Sequence, residues 1–224
     1  MLDCIEIETG ANPTHSVIWM HGLGADGNDF APLVPALKVS RTHAIRFVFP
    51  NAPQQPVTIN GGMVMPAWYD ILVPSMVREE DEAGIVQSEH AINALIEREI
   101  ERGIPSECIV LAGFSQGCAM TLHTGLRQKH RLAGLIGLSG YLPLAQKALE
   151  HWLPANKKTP IFLAHGTIDP VVTLDRGTAT RDLLVAHGYD IRWHTYMMPH
   201  SVCPEEVSDI SAFLEEVLRD APLA

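Results

Sequence analysis

The chain has 224 residues, 46% of them hydrophobic and 19% charged, and its formal net charge is -10 at pH 7. This length and apolar content suffice for one substantial core, so we expect residues 1–224 to form a single domain. The acidic charge, and the lack of a Lys/Arg cluster among aromatic residues, exclude nucleic acid as an expected partner.

The sequence predicts neither a membrane span nor a signal peptide. No window approaches the roughly 18 uninterrupted apolar residues that cross a bilayer, and the start at Met1 lacks a basic stretch followed by an apolar one. The cysteines at 4, 108, 118 and 203 are scattered without a CxxC pair, which argues against a zinc site and a disulfide framework. We therefore expect a cytoplasmic protein without integral membrane association.

Apolar runs rich in β-branched residues predict buried strands. Their near-continuous hydrophobicity suits strands that are covered on both faces. The runs are Ser16–Met20, Ile45–Phe49, Cys108–Ala112, Gly134–Leu138, Pro160–Ala164 and Asp190–Tyr196. Helical periodicity lies between them, over about Glu79–Arg102 and again from Val207 to Val217. The alternation predicts an α/β fold with a mostly parallel central sheet and helices on both faces.

Residues 51–75 do not fit this alternation. The segment is rich in proline, contains the pair Gly61-Gly62 and carries many large apolar side chains. One interpretation is a long lid-like or pocket-wall loop, because long loops in compact domains are usually functional and disorder does not suit so many apolar residues. A strand pair with irregular connections, packed on the core, is an alternative of equal weight.

Residues 113–117 read Gly-Phe-Ser-Gln-Gly and match the GxSxG nucleophile elbow. In this motif a serine occupies a strained strand-to-helix turn, and the glycines let neighbouring backbone approach closely. The predicted strand Cys108–Ala112 leads into the motif, and a helix-compatible stretch from Cys118 to Gln128 follows it. The context that the elbow requires is therefore present, and Ser115 is the predicted nucleophile.

A serine hydroxyl attacks only when a base removes its proton, so the elbow predicts a histidine and a carboxylate further along the chain. Asp169 follows the predicted strand Pro160–Ala164, and His200 lies between the strand ending at Tyr196 and the last helix. Both positions fall at the carboxyl edge of the sheet, where the elbow also lies and where open α/β sheets bind ligands. We predict Asp169 as the acid and His200 as the base.

Other candidates for these roles fit less well. His194 lies within a predicted strand and His187 near a helix end, away from the carboxyl edge of the sheet. His165 is better placed to stabilise the Asp169 turn through hydrogen bonds. Ser139 also follows a strand, but it lacks the preceding glycine of the elbow, so we interpret it as structural.

Ester cleavage develops negative charge on the carbonyl oxygen and therefore needs hydrogen-bond donors arranged in advance. The elbow supplies the backbone N–H of Gln116, and the glycine-rich turn over residues 21–27 supplies a second donor, for which we predict Leu23. The same turn lacks both the Gly-Lys-Ser/Thr ending of a phosphate loop and the GxGxxG spacing of a dinucleotide site. No cofactor and no metal ion is expected.

On these residues the chain resembles the carboxylesterase and acyl-protein thioesterase family, the small α/β-hydrolases that also include lysophospholipase-like enzymes. The resemblance spans nearly the whole chain and rests on five motifs in order: HGLGADGNDF at 21–30, AWYD at 67–70, GFSQG at 113–117, Gly166 with DPVV at 169–172, and HSVC at 200–203. It implies the α/β-hydrolase fold, a triad of Ser115, Asp169 and His200, and an oxyanion hole from Leu23 and Gln116.

The resemblance also implies a hydrophobic acyl channel beside the loop that carries Trp68. The predicted acyl-chain contacts are Met65, Trp68, Leu72, Val73 and Val172. The leading functional prediction is a serine carboxylesterase that hydrolyses esters of short to medium acyl chains through an acyl-enzyme intermediate.

Two alternatives stay open at this point. The same chemistry would serve an acyl-protein thioesterase or a lysophospholipase, so the substrate is a small-molecule or lipid acyl ester, or an acylated protein. A non-catalytic acyl-binding protein on the same scaffold is more remote, because it predicts a damaged triad or oxyanion turn. An exposed apolar loop would also suit a homodimer interface.

Overall fold

The computed structural model describes residues 1–39, 44–72 and 80–219, and its centre is a seven-stranded sheet. The strands of the described residues are β1 (Cys4–Glu8), β2 (His15–Met20), β3 (Ile45–Pro50), β4 (Gln54–Val57), β5 (Met63–Pro66), β6 (Ile109–Phe114), β7 (Gly134–Leu138), β8 (Ile161–Gly166) and β9 (Ile191–Tyr196). The central sheet has the order β1-β3-β2-β6-β7-β8-β9. Only β1 runs antiparallel to its neighbour in this sheet, so the predicted mostly parallel arrangement is confirmed.

Helices cover both faces of this sheet. They are α1 (Glu82–Glu101), α2 (Gln116–Arg127), α3 (Ala145–Ala148), α4 (Leu174–Ala186) and α5 (Pro204–Arg219), with short 3-10 segments at Ala31–Ala36, Thr58–Asn60, Ser106–Cys108 and Pro154–Asn156. One apolar core joins the sheet to α1, α2 and α4, and a second joins it to α5 and the 31–36 segment. None of the described helices is long and apolar enough to span a bilayer.

The second strand shows why the sequence pattern predicts buried strands. Val17 and Trp19 pack into the core that contains α5, whereas Ile18 and Met20 pack into the core that contains α1 and α2. All four side chains are buried, because successive residues of a strand point to opposite faces. A strand that is covered on both sides therefore lacks the alternation of polar and apolar residues.

Residues 54–66 form a β-hairpin rather than a loop. β4 and β5 pair antiparallel, and the connection places Gly61 at φ 67° and Gly62 at φ 80°, a region that glycine adopts without steric cost. Pro56 is tolerated because this two-stranded sheet has edges where a backbone N–H is not needed. The strand-pair alternative therefore holds for these residues, and the loop interpretation is wrong for them, while 73–75 lie outside the described residues.

A buried ionic cluster fastens α1 to the edge of the sheet. The side chain of Glu99 is 0% exposed and accepts hydrogen bonds from Arg46 Nη1 at 2.9 Å and Arg102 Nη1 at 3.0 Å. Arg46 also donates to Glu8 on β1 at 2.9 Å. The cluster thus joins β1, β3 and α1, with Glu99 and Arg46 buried at its centre and with Glu8 and Arg102 partly exposed.

We expect Glu99→Ala to lower the free energy of unfolding by about 3–5 kcal/mol, because it removes the fully buried carboxylate and leaves the buried Arg46 guanidinium with Glu8 as its remaining close partner. Urea denaturation followed by circular dichroism measures the loss. Glu101→Ala is the matched control: this residue lies on the same helix but is exposed, so its effect should stay within about 0.5 kcal/mol. Equal losses in the two variants would contradict the importance of the cluster.

Candidate active site

Ser115 lies in a sharp turn between β6 and α2, with φ at 56°. This positive φ is a costly conformation for a residue other than glycine, and it is held by the surrounding chain. The Ser115 N–H donates to the Leu138 carbonyl at 2.8 Å. A Cβ atom at Gly113 would lie 2.2 Å from the Gly117 carbonyl oxygen, and one at Gly117 would lie 2.2 Å from the Met20 oxygen. Both glycines of the motif are therefore needed for close packing.

The structure brings the three predicted triad residues into one hydrogen-bonded chain. His200 Nε2 lies 2.9 Å from Ser115 Oγ, and His200 Nδ1 lies 2.6 Å from Asp169 Oδ2. Since an ionised carboxylate only accepts hydrogen bonds, Nδ1 carries the ring proton and Nε2 is free to accept from the serine hydroxyl. The ring of Phe114 packs beside the imidazole, with centroids 4.7 Å apart.

A short turn holds the Asp169 carboxylate in place. Its side chain is 0% exposed, and Oδ1 accepts the backbone N–H groups of Val171 at 2.8 Å and Val172 at 3.0 Å. His165 Nε2 in turn donates to the Val172 carbonyl at 2.7 Å, which confirms the prediction that His165 stabilises this turn. Burial lowers the pKa of His165, so its ring is neutral near pH 7.

Leu23 lies in the loop after β2, and this loop passes close to Ser115. A Cβ atom at Gly22 would lie 3.3 Å from Ser115 Cβ, so the loop and the elbow approach closely. The Gly22 carbonyl accepts from His21 Nδ1 at 2.7 Å, while His21 Nε2 accepts from the Ala52 N–H at 3.0 Å. Because the C=O and N–H of a trans peptide point in opposite directions, this bond turns the Leu23 N–H away from the imidazole.

The protonation state of His21 supports this arrangement. Burial lowers the pKa of His21, although the Gly22 carbonyl and two nearby aspartates oppose the shift, so the ring stays neutral and one nitrogen can accept. The loop is also held from the hairpin, because the Gly24 N–H donates to the Pro66 carbonyl at 2.8 Å. Within the described residues, no acceptor binds the Leu23 N–H.

The second predicted oxyanion donor is the backbone N–H of Gln116, the first residue of α2. The first N–H groups of a helix have no partner within the helix, and they carry the positive end of the helix dipole. This N–H group belongs to the residue that directly follows Ser115, the predicted nucleophile. The two predicted donors therefore come from separate loops that meet at Ser115.

The predicted acyl-chain contacts lie in different environments. Met65 and Leu72 are half-buried, and the Met65 sulfur lies 3.6 Å from the position of a Cβ atom at Gly24. Val172 is buried next to the acid. Val73 lies outside the described residues. Met65, Leu72 and Val172 stay candidates for acyl contact.

Trp68 does not fit the prediction of an acyl contact. Its side chain is 1% exposed, and the indole N–H donates to the His21 carbonyl at 2.9 Å. The backbone N–H of Trp68 donates to Gln116 Oε1, and its carbonyl accepts from Ser88. The residue links structural elements behind the candidate site and offers almost no surface to a substrate.

The other histidines and serines considered above lie in separate surroundings. His194 Nδ1 on β9 lies 3.4 Å from Asp209, and His187 donates to the Leu183 carbonyl at the end of α4. Ser139 is fully buried after β7. Among the described residues, none of the three side chains forms a hydrogen bond with Ser115, Asp169 or His200, so their interpretation as structural agrees with their positions.

The structure also contains a mostly apolar cavity of about 650 Å³ that the sequence analysis does not predict. Part of its wall is formed by residues that come shortly after His200 in the chain. The cavity lies between the 31–36 segment and α5, and its wall includes Leu33, Val202, Cys203 and Val207. Its lining residues come from two stretches that are far apart in the chain, 33–38 and 202–215, so no local pattern could have indicated it. Within the described residues, no group of three His, Cys, Asp or Glu side chains is placed to hold a metal ion.

Glu206 is buried in the first turn of α5, behind the loop that carries His200. Burial raises its pKa from the ordinary 4.5 to about 8, nearby Asp209 adds to the shift, and the Cys203 backbone N–H opposes it. The folded state therefore binds this proton more tightly than the unfolded state does. Its contribution to stability is complete below about pH 4.5 and is lost as the pH rises through about 8.

We expect Glu206→Gln to abolish the decrease in the free energy of unfolding that ionisation of Glu206 causes at alkaline pH. That decrease is roughly 3–5 kcal/mol, because each unit of pKa shift is worth about 1.4 kcal/mol. Urea denaturation below and above this pH window measures the effect. At alkaline pH the variant should have a higher free energy of unfolding than the native chain. Glu205→Gln, at an exposed neighbouring position, is the control. An unchanged pH dependence in Glu206→Gln would show that another group is responsible.

The profile of the phospholipase/carboxylesterase family matches residues 2–218. The chain is 47% identical to acyl-protein thioesterase 1 of Neurospora crassa, over 93% of this chain and 89% of that protein. Its structure is similar to Arabidopsis thaliana SOBER1, with a TM-score of 0.86, 31% identity and coverage of 91% and 99%. Zea mays acyl-protein thioesterase 2 gives a TM-score of 0.87 at 25% identity, with coverage of 97% and 100%.

Proposed function

Since the chain belongs to the phospholipase/carboxylesterase family and is a serine hydrolase of ester bonds with the α/β-hydrolase fold, we propose that Ser115, His200 and Asp169 are its nucleophile, base and acid. The single observation that carries this proposal is the bonded chain from Ser115 Oγ through the imidazole to the buried carboxylate. A binding protein without catalysis has no need of that chain.

The proposed reaction has two stages that use the same groups. Ser115 Oγ attacks the acyl carbon while His200 Nε2 takes its proton, and the carbonyl oxygen becomes negative at the N–H groups of Leu23 and Gln116. The intermediate collapses, and His200 gives the proton to the departing alcohol or thiol. Water then attacks the acyl-enzyme with His200 as base, which releases the carboxylic acid and restores the serine.

The leading substrate is a carboxylic ester with a short to medium acyl chain, held near Met65, Leu72 and Val172. The second candidate is a thioester on an acylated protein, and the relatives named acyl-protein thioesterase favour it, at 37–47% identity. A lysophospholipid is a third substrate for the same chemistry. We expect the acyl group to be the common feature that the site recognises.

A matched substrate series tests this proposal. Purified protein is assayed with p-nitrophenyl esters from acetate to palmitate, with S-acyl peptides of the same chain lengths, and with lysophosphatidylcholine. A higher kcat/KM for esters at short and medium lengths supports the carboxylesterase, whereas preference for long S-acyl peptides favours the thioesterase. Absence of hydrolysis with every substrate would contradict the proposed site. Gel filtration decides separately whether the chain forms the homodimer left open above.

A further inference from the structure

The side chain of Gln116 binds the backbone of residues 68–69 through both its amide oxygen and its amide nitrogen. Its Oε1 accepts the Trp68 N–H at 2.8 Å, and its Nε2 donates to the Tyr69 carbonyl at 2.7 Å. The residue is only 3% exposed, so water cannot replace either bond. The carboxamide therefore binds one donor and one acceptor of the 68–69 backbone, while the backbone N–H of Gln116 itself is a proposed oxyanion donor.

Trp68 also binds the loop that carries Leu23, the other proposed oxyanion donor. Its indole N–H donates to the His21 carbonyl at 2.9 Å, and the two rings lie 5.3 Å apart. The imidazole of His21 holds the Gly22 carbonyl, which sets the direction of the Leu23 N–H. One tryptophan thus joins the elbow to the end of β2.

The segment around Trp68 is itself fixed from α1 and its cap. Ser88 Oγ donates to the Trp68 carbonyl, and the Asp70 N–H donates to Asp81 at 2.9 Å. Asp81 also caps α1 by accepting the Gly84 N–H. A fully hydrogen-bonded buried network of this kind is rigid and specifies one arrangement.

We propose that Gln116 is a positioning residue for the hydrolysis: through its side chain it couples residues 67–70, which border the proposed acyl site, to both oxyanion donors. The Trp68 bracket, defined as the Gln116 side chain, residues 68–69 and the His21 carbonyl, keeps the two N–H groups at a fixed separation. This inference rests on the proposed function, because it assigns a role in the same reaction. It also gives Trp68 a place in the site without contact to substrate.

Gln116→Glu provides a test with its own pH signature. The ionised carboxylate still accepts from Trp68 but repels the Tyr69 carbonyl, whereas the protonated carboxyl donates to it as the amide does. Burial raises the pKa of such a group, so protonation falls within the usable assay range. We expect kcat to drop about 10–100-fold at alkaline pH, less than the loss of a whole donor, with KM little changed. The ratio of variant to native kcat should rise as the pH falls.

Two further variants separate this role from packing and from general loosening. Gln116→Met keeps the length but makes neither bond, so its kcat should be low and its ratio to the native kcat independent of pH. Gln55→Glu is the matched control, because Gln55 Nε2 donates to the Ala67 carbonyl at 2.6 Å and holds the same segment from the hairpin instead of the elbow. Its kcat should stay within about threefold of the native value, because the Gln55 side chain binds the Ala67 carbonyl and makes no described bond to the elbow or to the loop of Leu23.

The outcomes distinguish this inference from the proposed function. Activity that survives in Ser115→Ala overturns the proposed function, whereas an inactive Ser115→Ala with a fully active Gln116→Met overturns only the role of Gln116. An equal loss in Gln55→Glu also overturns it. If substitutions at Gln116 prevent folding, Trp68→Phe removes the single bond to His21 and should lower kcat without changing KM; unchanged kcat in that variant overturns the bracket.

Discussion

Replacing the proposed nucleophile, Ser115→Ala, should lower kcat for ester hydrolysis by about 10⁴–10⁶-fold, the range seen when a serine hydrolase loses this residue. The hydroxyl oxygen forms the new bond to the acyl carbon, so no neighbouring group can replace it. KM should change little, because the alanine keeps the backbone of the elbow and both oxyanion donors. Steady-state kinetics with a p-nitrophenyl ester measures both constants.

Ser139→Ala is the control for this experiment. Ser139 also follows a strand of the central sheet and also has a positive φ, at 47°, but it is fully buried and not joined to His200. Its replacement should leave kcat within about twofold, as expected for a residue outside the reacting unit. The assignment of Ser115 is wrong if the two variants lose activity equally.

Replacing the proposed acid, Asp169→Asn, should lower kcat by about 10⁴-fold at neutral pH. The Val171 and Val172 N–H groups bind Oδ1 and will select the amide oxygen for that position, which leaves the amide NH₂ facing His200. An NH₂ group donates to Nδ1, so the ring proton moves to Nε2 and the base can no longer accept from Ser115. The variant should fold normally because its shape is unchanged.

The loss of kcat in Asp169→Asn is a loss of serine activation and not of substrate binding. Two assays measure it: hydrolysis of the same ester, and labelling by a fluorophosphonate, which reacts with activated serines. Both the turnover of the ester and the rate of labelling should fall together. Asp175→Asn is a suitable control, since Asp175 is an exposed residue in the first turn of α4, close to the acid in sequence. If Asp169→Asn retains more than about a tenth of the native kcat, the tautomer argument fails.

Much of this fold could be predicted because the central strands are covered on both faces. After Ser16, the runs that become β2 and β6 contain no polar residue, so they stand out in the sequence. β1 differs: Ile5 and Ile7 alternate with Glu6 and Glu8 on an edge strand with one buried face, and five such residues give a weak signal. The β4–β5 hairpin is predicted only as one of two interpretations of equal weight, because its prolines usually indicate a loop.

The candidate site could be predicted where its residues belong to local motifs. The elbow, the turn of Asp169 and the loop of His200 each follow a strand, so the parallel sheet brings them to one edge. The Gln116 side chain could not be assigned in this way, because its partners lie 47 and 48 residues away in the chain. The prediction that Trp68 contacts the acyl chain fails for the same reason. An aromatic residue among prolines is typical of a pocket wall, and the partners that bury Trp68 lie far away in the chain.

The central claim is that His200 and Asp169 activate Ser115 for attack on an acyl carbon, and covalent labelling followed by peptide mass spectrometry tests it most directly. Native protein is reacted with a fluorophosphonate, digested, and mapped for the adduct. We expect one equivalent of label on Ser115, complete loss of esterase activity with it, and strongly slowed labelling in His200→Ala. Label on a different residue, or full esterase activity in protein whose Ser115 is modified, would contradict the account.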